Sequence, residues 1–149
     1  MPQREATFSV NAPPAEVWNF IRDFEALCTC IPGVESIHVL DDRTAELTVK
    51  EKVGAVPIIV KLTARIESEN APTALRAVAV AEHLTMQIDV ALRADGSGTE
   101  LCSRFDVKGE GPLKPIVDHL FERRAAERTA QFAECLGRRF SAGDPNANA

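Results

Sequence analysis

The side chains best suited to chemistry in this chain are few, and their spacing suits little of it. Four cysteines, Cys28, Cys30, Cys102 and Cys135, stand beside three histidines. They make no C-x-x-C pair and no metal-ligand spacing with the histidines, so no metal site is expected. The pattern reads as reduced, mostly buried thiols of a cytosolic protein, with one hidden disulfide as the alternative. A thiolate nucleophile at Cys28 or Cys30 would need a cation or histidine beside it, and the neighbouring sequence supplies none. Structural cysteines are expected there. Glu82 and His83 could exchange protons, but they sit at a strand junction, where a solvated pair is the plainer expectation. No Ser-His-Asp, H-E-x-x-H, P-loop or G-x-G-x-x-G arrangement occurs. No catalytic residue, metal or cofactor is therefore expected.

The elements that must position any site follow from length and periodicity. A chain of 149 residues, 45% hydrophobic and 26% charged, suits one globular domain over residues 1–140, with a polar, disordered tail at 141–149. The net charge of −5 argues against nucleic acid or an anionic membrane surface as partner. No apolar run approaches the ~20 residues of a membrane span, and residues 1–10 lack a signal-peptide pattern. A cytoplasmic protein with at most peripheral membrane contact is expected.

Residues Glu5 to Val10 alternate as a half-buried strand. Asn11-Ala-Pro-Pro14 stops it and starts a helix bearing Val17, Trp18 and Ile21 on one face. Asp23 is placed to cap a second short helix, Phe24 to Cys30, which Ile31-Pro-Gly33 ends. The period then becomes two. Strands are expected at Val34–Leu40, Thr44–Glu51, Ile58–Ser68, Thr73–Ala81, His83–Arg93 and Thr99–Gly109, with Gly54 breaking the chain between the second and third. Tight turns join them, the strongest being Asp95-Gly-Ser-Gly98. Alternation puts Val60, Leu62, Ala64 and Ile66 on one face, with Leu84, Met86, Ile88, Val90 and Leu92, and Leu101, Ser103, Phe105 and Val107. For Thr73–Ala81 either parity is apolar; the Leu75, Ala77, Ala79, Ala81 face is preferred inward because it leaves Arg76 in water. Ser103 is then the single polar strand residue expected inside.

Leu113 to Phe140 reads as one long helix, roughly 40 Å at 1.5 Å per residue. Leu113, Ile116, Val117, Leu120 and Phe121 form one apolar group and Phe132, Leu136 and Phe140 another. Two covered surfaces, or a bend, would explain both. Small residues lie between them, among them Ala125 and Thr129. Arg123, Arg124 and Arg128 alternate with Glu122, Glu127 and Glu134 as a solvated face, supported by a Glu134–Arg138 pair.

The order strand, two short helices, six antiparallel strands and a long C-terminal helix resembles the START-like, or SRPBCC, helix-grip fold. The opening Phe8-x-Val-x-Ala-Pro-x-x-Glu16-Val17-Trp18-x-Phe20-Ile21-x-Asp23 is similar to that superfamily's N-terminal signature. The stretch Leu27-x-x-Cys30-Ile31-Pro32-Gly33-Val34-Glu35 resembles the carbon-monoxide dehydrogenase G-subunit family. The resemblance implies an α+β fold in which a seven-stranded antiparallel sheet curves around the C-terminal helix. It also implies a small lipophilic ligand, a lipid or quinone-like molecule, held between them by a non-enzymatic protein. A molybdenum hydroxylase such as carbon-monoxide dehydrogenase is the implied protein partner. A polyketide cyclase or dehydratase using the same cavity is the alternative, and it would need an acid–base pair inside.

Inward parity and this fold together nominate the ligand-lining residues Leu62, Ala64, Ala79, Met86, Ile88 and Phe105 from the sheet. The helix contributes Val117, Leu120, Phe121 and Ala125. Trp18, Phe24, Leu27 and Ile31 are expected to close the mouth by meeting Val117, Leu120 and Phe121. Small inward residues favour an open cavity; bulky neighbours such as Phe8 and Trp18 would fill it.

Overall fold

The computed structural model describes residues 3–53 and 55–142. Its elements are β1 (Gln3–Val10), α1 (Pro14–Arg22), α2 (Phe24–Cys28), β2 (Val34–Val39), β3 (Thr44–Val53), β4 (Val56–Asn70), β5 (Ala74–Ala81), β6 (Leu84–Asp95), β7 (Gly98–Gly109) and α3 (Lys114–Ala142). A single turn of 3-10 helix at Gly111–Leu113 leads into α3. The strands form one antiparallel sheet in the order β1-β7-β6-β5-β4-β3-β2. The expected break at Gly54 and the end of the tail, residues 143–149, lie outside the described residues.

Local chemistry accounts for the boundaries. Asp23 closes α1 and caps α2, its carboxylate accepting from the backbone N–H of Glu25 at 3.1 Å and of Ala26 at 3.2 Å. Gly33 takes φ of +87° after Pro32, a conformation open to glycine and costly for other residues. In the β6–β7 hairpin Gly96 has φ of +61°, while at Gly98 a Cβ would stand 2.7 Å from the Val10 carbonyl oxygen. That strand start therefore needs glycine because β1 passes so close.

The register settles which side chains face α3. Leu75 pairs with Val90, Ala77 with Ile88 and Ala79 with Met86, so the leucine–alanine face of β5 does point inward. Ala79 is 5% exposed while Val80 is 47% exposed.

The position of α3 follows from connectivity. It starts where β7 ends and runs back over the sheet, so its second half returns to the end where β7 began. There Val10 pairs with Thr99, and the Thr99 hydroxyl donates to the Ala12 carbonyl at 2.7 Å. The densest core occupies this closed end. Val10, Val17, Trp18, Phe20, Ile21, Cys30, Leu92, Leu101 and Leu136 are buried together, with Phe132 and Phe140 packed on them. Phe20 meets Phe140 edge-to-face at 5.8 Å, and the Arg139 guanidinium lies 4.7 Å from the Phe20 ring centre. An ion pair of Arg22 with Glu69, at 3.1 Å, fastens α1 to the end of β4.

Two expectations are corrected here. Trp18 and the short helices meet the second half of α3, not Val117 and Phe121 in its first half, because the helix runs antiparallel to β7. The cysteines are not all reduced: Cys30 and Cys135 form a disulfide with Cα atoms 5.5 Å apart, across 105 residues of sequence. Only the return of α3 brings them together. This disulfide removes the thiol-based ground for a cytosolic placement.

The two halves of α3 should differ sharply in what they contribute. Leu136 is fully buried and Ile116 is 44% exposed, so Leu136→Ala is expected to lower unfolding free energy by about 2–5 kcal/mol. Ile116→Ala is expected to lower it by less than about 1 kcal/mol. Urea unfolding followed by far-ultraviolet circular dichroism measures both.

Candidate functional site

The groove between the inner sheet face and the first half of α3 is built by the alternation of five strands. Leu47 opposes Leu62, Val49 opposes Val60 and Glu51 opposes Ile58 across β3 and β4. Ala64 opposes Ala79 across β4 and β5, and Ile88 opposes Phe105 across β6 and β7. The helix backbone approaches β7 and β1 most closely. Gly109 permits that approach, since a Cβ there would stand 3.0 Å from the Val117 Cβ. Over β3 to β6 the helix stands farther off. Leu62, Ala64, Met86, Ile88 and Phe105 are each half-buried, as are Val117, Phe121 and Ala125 on α3. A filled core would bury them as it buries Leu101 at 1% and Leu136 at 0%. The groove is therefore open to solvent.

One charged pair crosses this apolar space. Arg128 Nη2 of α3 lies 2.6 Å from Glu51 Oε1 of β3, and both side chains are mostly withdrawn from solvent, at 28% and 23% exposure. Sequence reasoning missed both residues. Arg128 does not lie on the solvated face; it falls seven residues after Phe121 and four before Phe132, inside the stripe that faces the sheet. Glu51 continues the inward series Ala45, Leu47, Val49. Those spacings were the available signal, so Ser103, buried at 7%, is not the single polar residue inside. Thr99, buried at 1%, and Glu69, bonded to Arg22, also lie on the inner face. Glu134 and Arg138 do pair on the solvated side, at 3.0 Å.

The Cys30-Ile31-Pro32-Gly33 stretch holds this arrangement. Cys30 is tied to Cys135, two turns beyond Arg128 on α3. Gly33 accepts from the Lys50 backbone N–H at 2.8 Å. A Cβ on Gly33 would lie 3.1 Å from the Lys50 carbonyl oxygen and 3.5 Å from Arg128 Nη1. The motif thus bonds to β3, and glycine keeps the space between β3 and the Arg128 side chain clear.

The family model for CoxG, the G-subunit of carbon monoxide dehydrogenase, matches residues 6–141. The chain belongs to the CoxG family. No curated protein sequence matches it. Among solved structures, a conserved protein from Geobacillus kaustophilus superposes with TM-score 0.82 at 14% identity, covering 95% of this chain and 96% of that one. A START superfamily protein from Mycobacterium smegmatis gives 0.75 at 16% identity over 95% and 99% of the two chains. The ZhuI aromatase/cyclase from Streptomyces sp. R1128 gives 0.64 at 16% identity over 93% and 94%. These likenesses establish the START-like fold of this CoxG family member.

The remaining nominated residues fall in two places. Ile31 is half-buried in the glycine turn; Phe24 and Leu27 are half-buried on α2, with Leu27 packed against the closed-end core, and Trp18 is within it at 6% exposure. Leu120 is on α3, but its side chain lies outside the described residues. The groove opens toward the other end of the sheet, where Val56 and Ile58 of the β3–β4 hairpin and Ile116 of α3 expose 62%, 37% and 44% of their surface. Two open depressions of about 640 and 620 Å3 lie elsewhere, one around Asp41–Thr44 and the other involving Thr7, Arg76, Asp89, Cys102 and Arg104. Charges in both are paired, Asp42 with Arg22 and Arg43 with Glu69 at the first and Arg76 with Asp89 at the second, and neither has the apolar facing walls of the groove. Glu82 lies 3.8 Å from His83 at an exposed turn, outside the groove. Among the described residues no metal-ligand cluster occurs, and no helix is long and apolar enough to cross a membrane.

Burial pushes the Cys28 thiol up to about 11. At pH 8 only about 0.1% of it would be thiolate, the reactive form. Alkylation by iodoacetamide should therefore be slow at Cys28 at pH 8 and accelerate steeply toward pH 11. Peptide mass mapping of labelling against pH checks this.

Proposed function

We propose that this CoxG family member is a non-enzymatic binding protein that holds a small lipophilic molecule, of lipid or quinone type, in the groove beneath α3. The observation that supports it most is the half-burial of Leu62, Met86, Ile88, Phe105, Val117 and Phe121 on facing walls. Apolar side chains left wet on two opposed surfaces gain free energy when an apolar guest displaces the water. The family suggests the wider setting, an accessory role beside a molybdenum hydroxylase such as carbon monoxide dehydrogenase. The apolar rim of Val56, Ile58 and Ile116 is where a guest would pass in or out.

A second reading has one observation in its favour. A polyketide cyclase or dehydratase needs an acid or base inside the cavity, and Glu51 puts a carboxylate there. That carboxylate is already engaged by the Arg128 guanidinium at 2.6 Å, which leaves it less free to serve a substrate. An enzyme of this type would lose turnover in Glu51→Gln while still binding its substrate.

Nile red is expected to bind with enhanced emission and to be displaced by short-chain quinone analogues. Ala125→Leu and Ala64→Leu place extra carbons on opposite walls. Each is expected to weaken binding by about tenfold, or ~1.4 kcal/mol, without lowering the melting temperature. Unchanged dye affinity in both variants would remove the groove beneath α3 as the binding site.

A further inference from the structure

We infer that Arg128 is the polar anchor of the groove, reading the uncharged carbonyl oxygen of an otherwise apolar ligand; this rests on the binding reading above. Three observations carry it. First, Arg128 occupies a position in the sheet-facing stripe of α3, between Phe121 and Phe132, where an apolar side chain would ordinarily stand. Second, its donors are not used up. A guanidinium presents five N–H groups, and among the described residues Glu51, 2.6 Å from Nη2, is its ion-pair partner. A Cβ on Gly33 would lie 3.5 Å from Nη1, so the missing side chain leaves about a methyl group's space beside that donor. The group is 28% exposed, so part of it is open to an incoming molecule. Third, the charge is already balanced. Glu51 Oε2 is shielded from solvent and accepts no hydrogen bond among the described residues, so Arg128 is the partner that balances its charge. A neutral pair in apolar surroundings offers hydrogen-bond donors without net charge. It therefore favours a neutral acceptor over a carboxylate, whose burial would leave an excess negative charge uncompensated.

The walls agree with this choice. Val49, Ile58 and Leu62 on the sheet and Phe121 and Ala125 on α3 surround the pair with hydrocarbon, which suits the body of such a molecule. The polar end would lie against Arg128 and the apolar remainder toward the open end of the sheet. An alternative role, in which the ion pair only braces α3 over β3, predicts no dependence on the ligand's head group.

The test uses three naphthalenes of similar size as probes: 2-acetylnaphthalene, 2-ethylnaphthalene and 2-naphthoate, each titrated by displacement of Nile red. In the unaltered protein the ketone should bind about tenfold tighter than the hydrocarbon, a modest allowance for one hydrogen bond from a charged donor. The carboxylate should bind weakest. Glu51→Gln removes the balancing charge and keeps the shape, so 2-naphthoate should gain at least about tenfold relative to the ketone. Arg128→Met should erase the difference between ketone and hydrocarbon. The head-group ratio in the unaltered protein stands even where Arg128→Met fails to fold. Equal affinity for ketone and hydrocarbon, with both displacing the dye, would overturn the anchor and leave the groove in place. So would an unchanged naphthoate ratio in Glu51→Gln. Failure of all three probes to displace the dye would overturn the groove reading and the anchor together.

Discussion

The helix α3 is packed into the core by its second half, while its first half rests on β7 and stands off β3 to β6, and most of this structure follows from that asymmetry. The chain leaves β7 at Gly109, so a helix laid antiparallel on that strand reaches the closed end of the sheet only after several turns. There Leu136 is fully buried among residues of α1, β1, β6 and β7, and Cys135 is bonded to Cys30. The dense core needs the short helices, because their apolar faces have no other surface to cover. Toward the helix N-terminus only β7, among the described residues, is packed closely against it. A groove can stay open there without loss of the fold.

The Arg128–Glu51 pair lies between these two regimes. Withdrawing both charges from water is costly, and such pairs often contribute little to stability. Its place in the chain gives it a geometric role instead: it spans from α3 to β3, the strand next to the edge strand β2 and five strands from β1. The glycine turn beside it is bonded to β3 through the Lys50 N–H, and a side chain at Gly33 would meet both β3 and Arg128. The Cys30-Ile31-Pro32-Gly33 stretch therefore ties α3 by its disulfide and β3 by its backbone. A short motif that looks like a helix stop in sequence also links the helix to the sheet.

Much of this was legible in the residues. Strand boundaries fell near their expected places because alternation over eight or more residues leaves little freedom of register. The ambiguous β5 resolved as the position of Arg76 required, with that side chain outside and bonded to Asp89. The Asp23 cap needed only a carboxylate ahead of two free N–H groups. Glu51 was missed because the inward series of β3 was not carried to its end. Arg128 was missed because a run of alternating charges on a helix reads as solvated unless each position is placed against the apolar stripe.

What the sequence determined by itself was local and periodic: which segments are strands or helices, which face of each is apolar, and where the chain turns. Those follow from side-chain spacing against repeats of 2.0 and 3.6 residues. What only the tertiary structure decided was which half of α3 meets the short helices, that Cys30 reaches Cys135, and that a charged pair crosses the groove. Each depends on the direction in which α3 returns over the sheet, and on how far the sheet curls to meet it. Periodicity carries no record of either, because both are set by packing between residues as far apart as the 105 that separate the two cysteines.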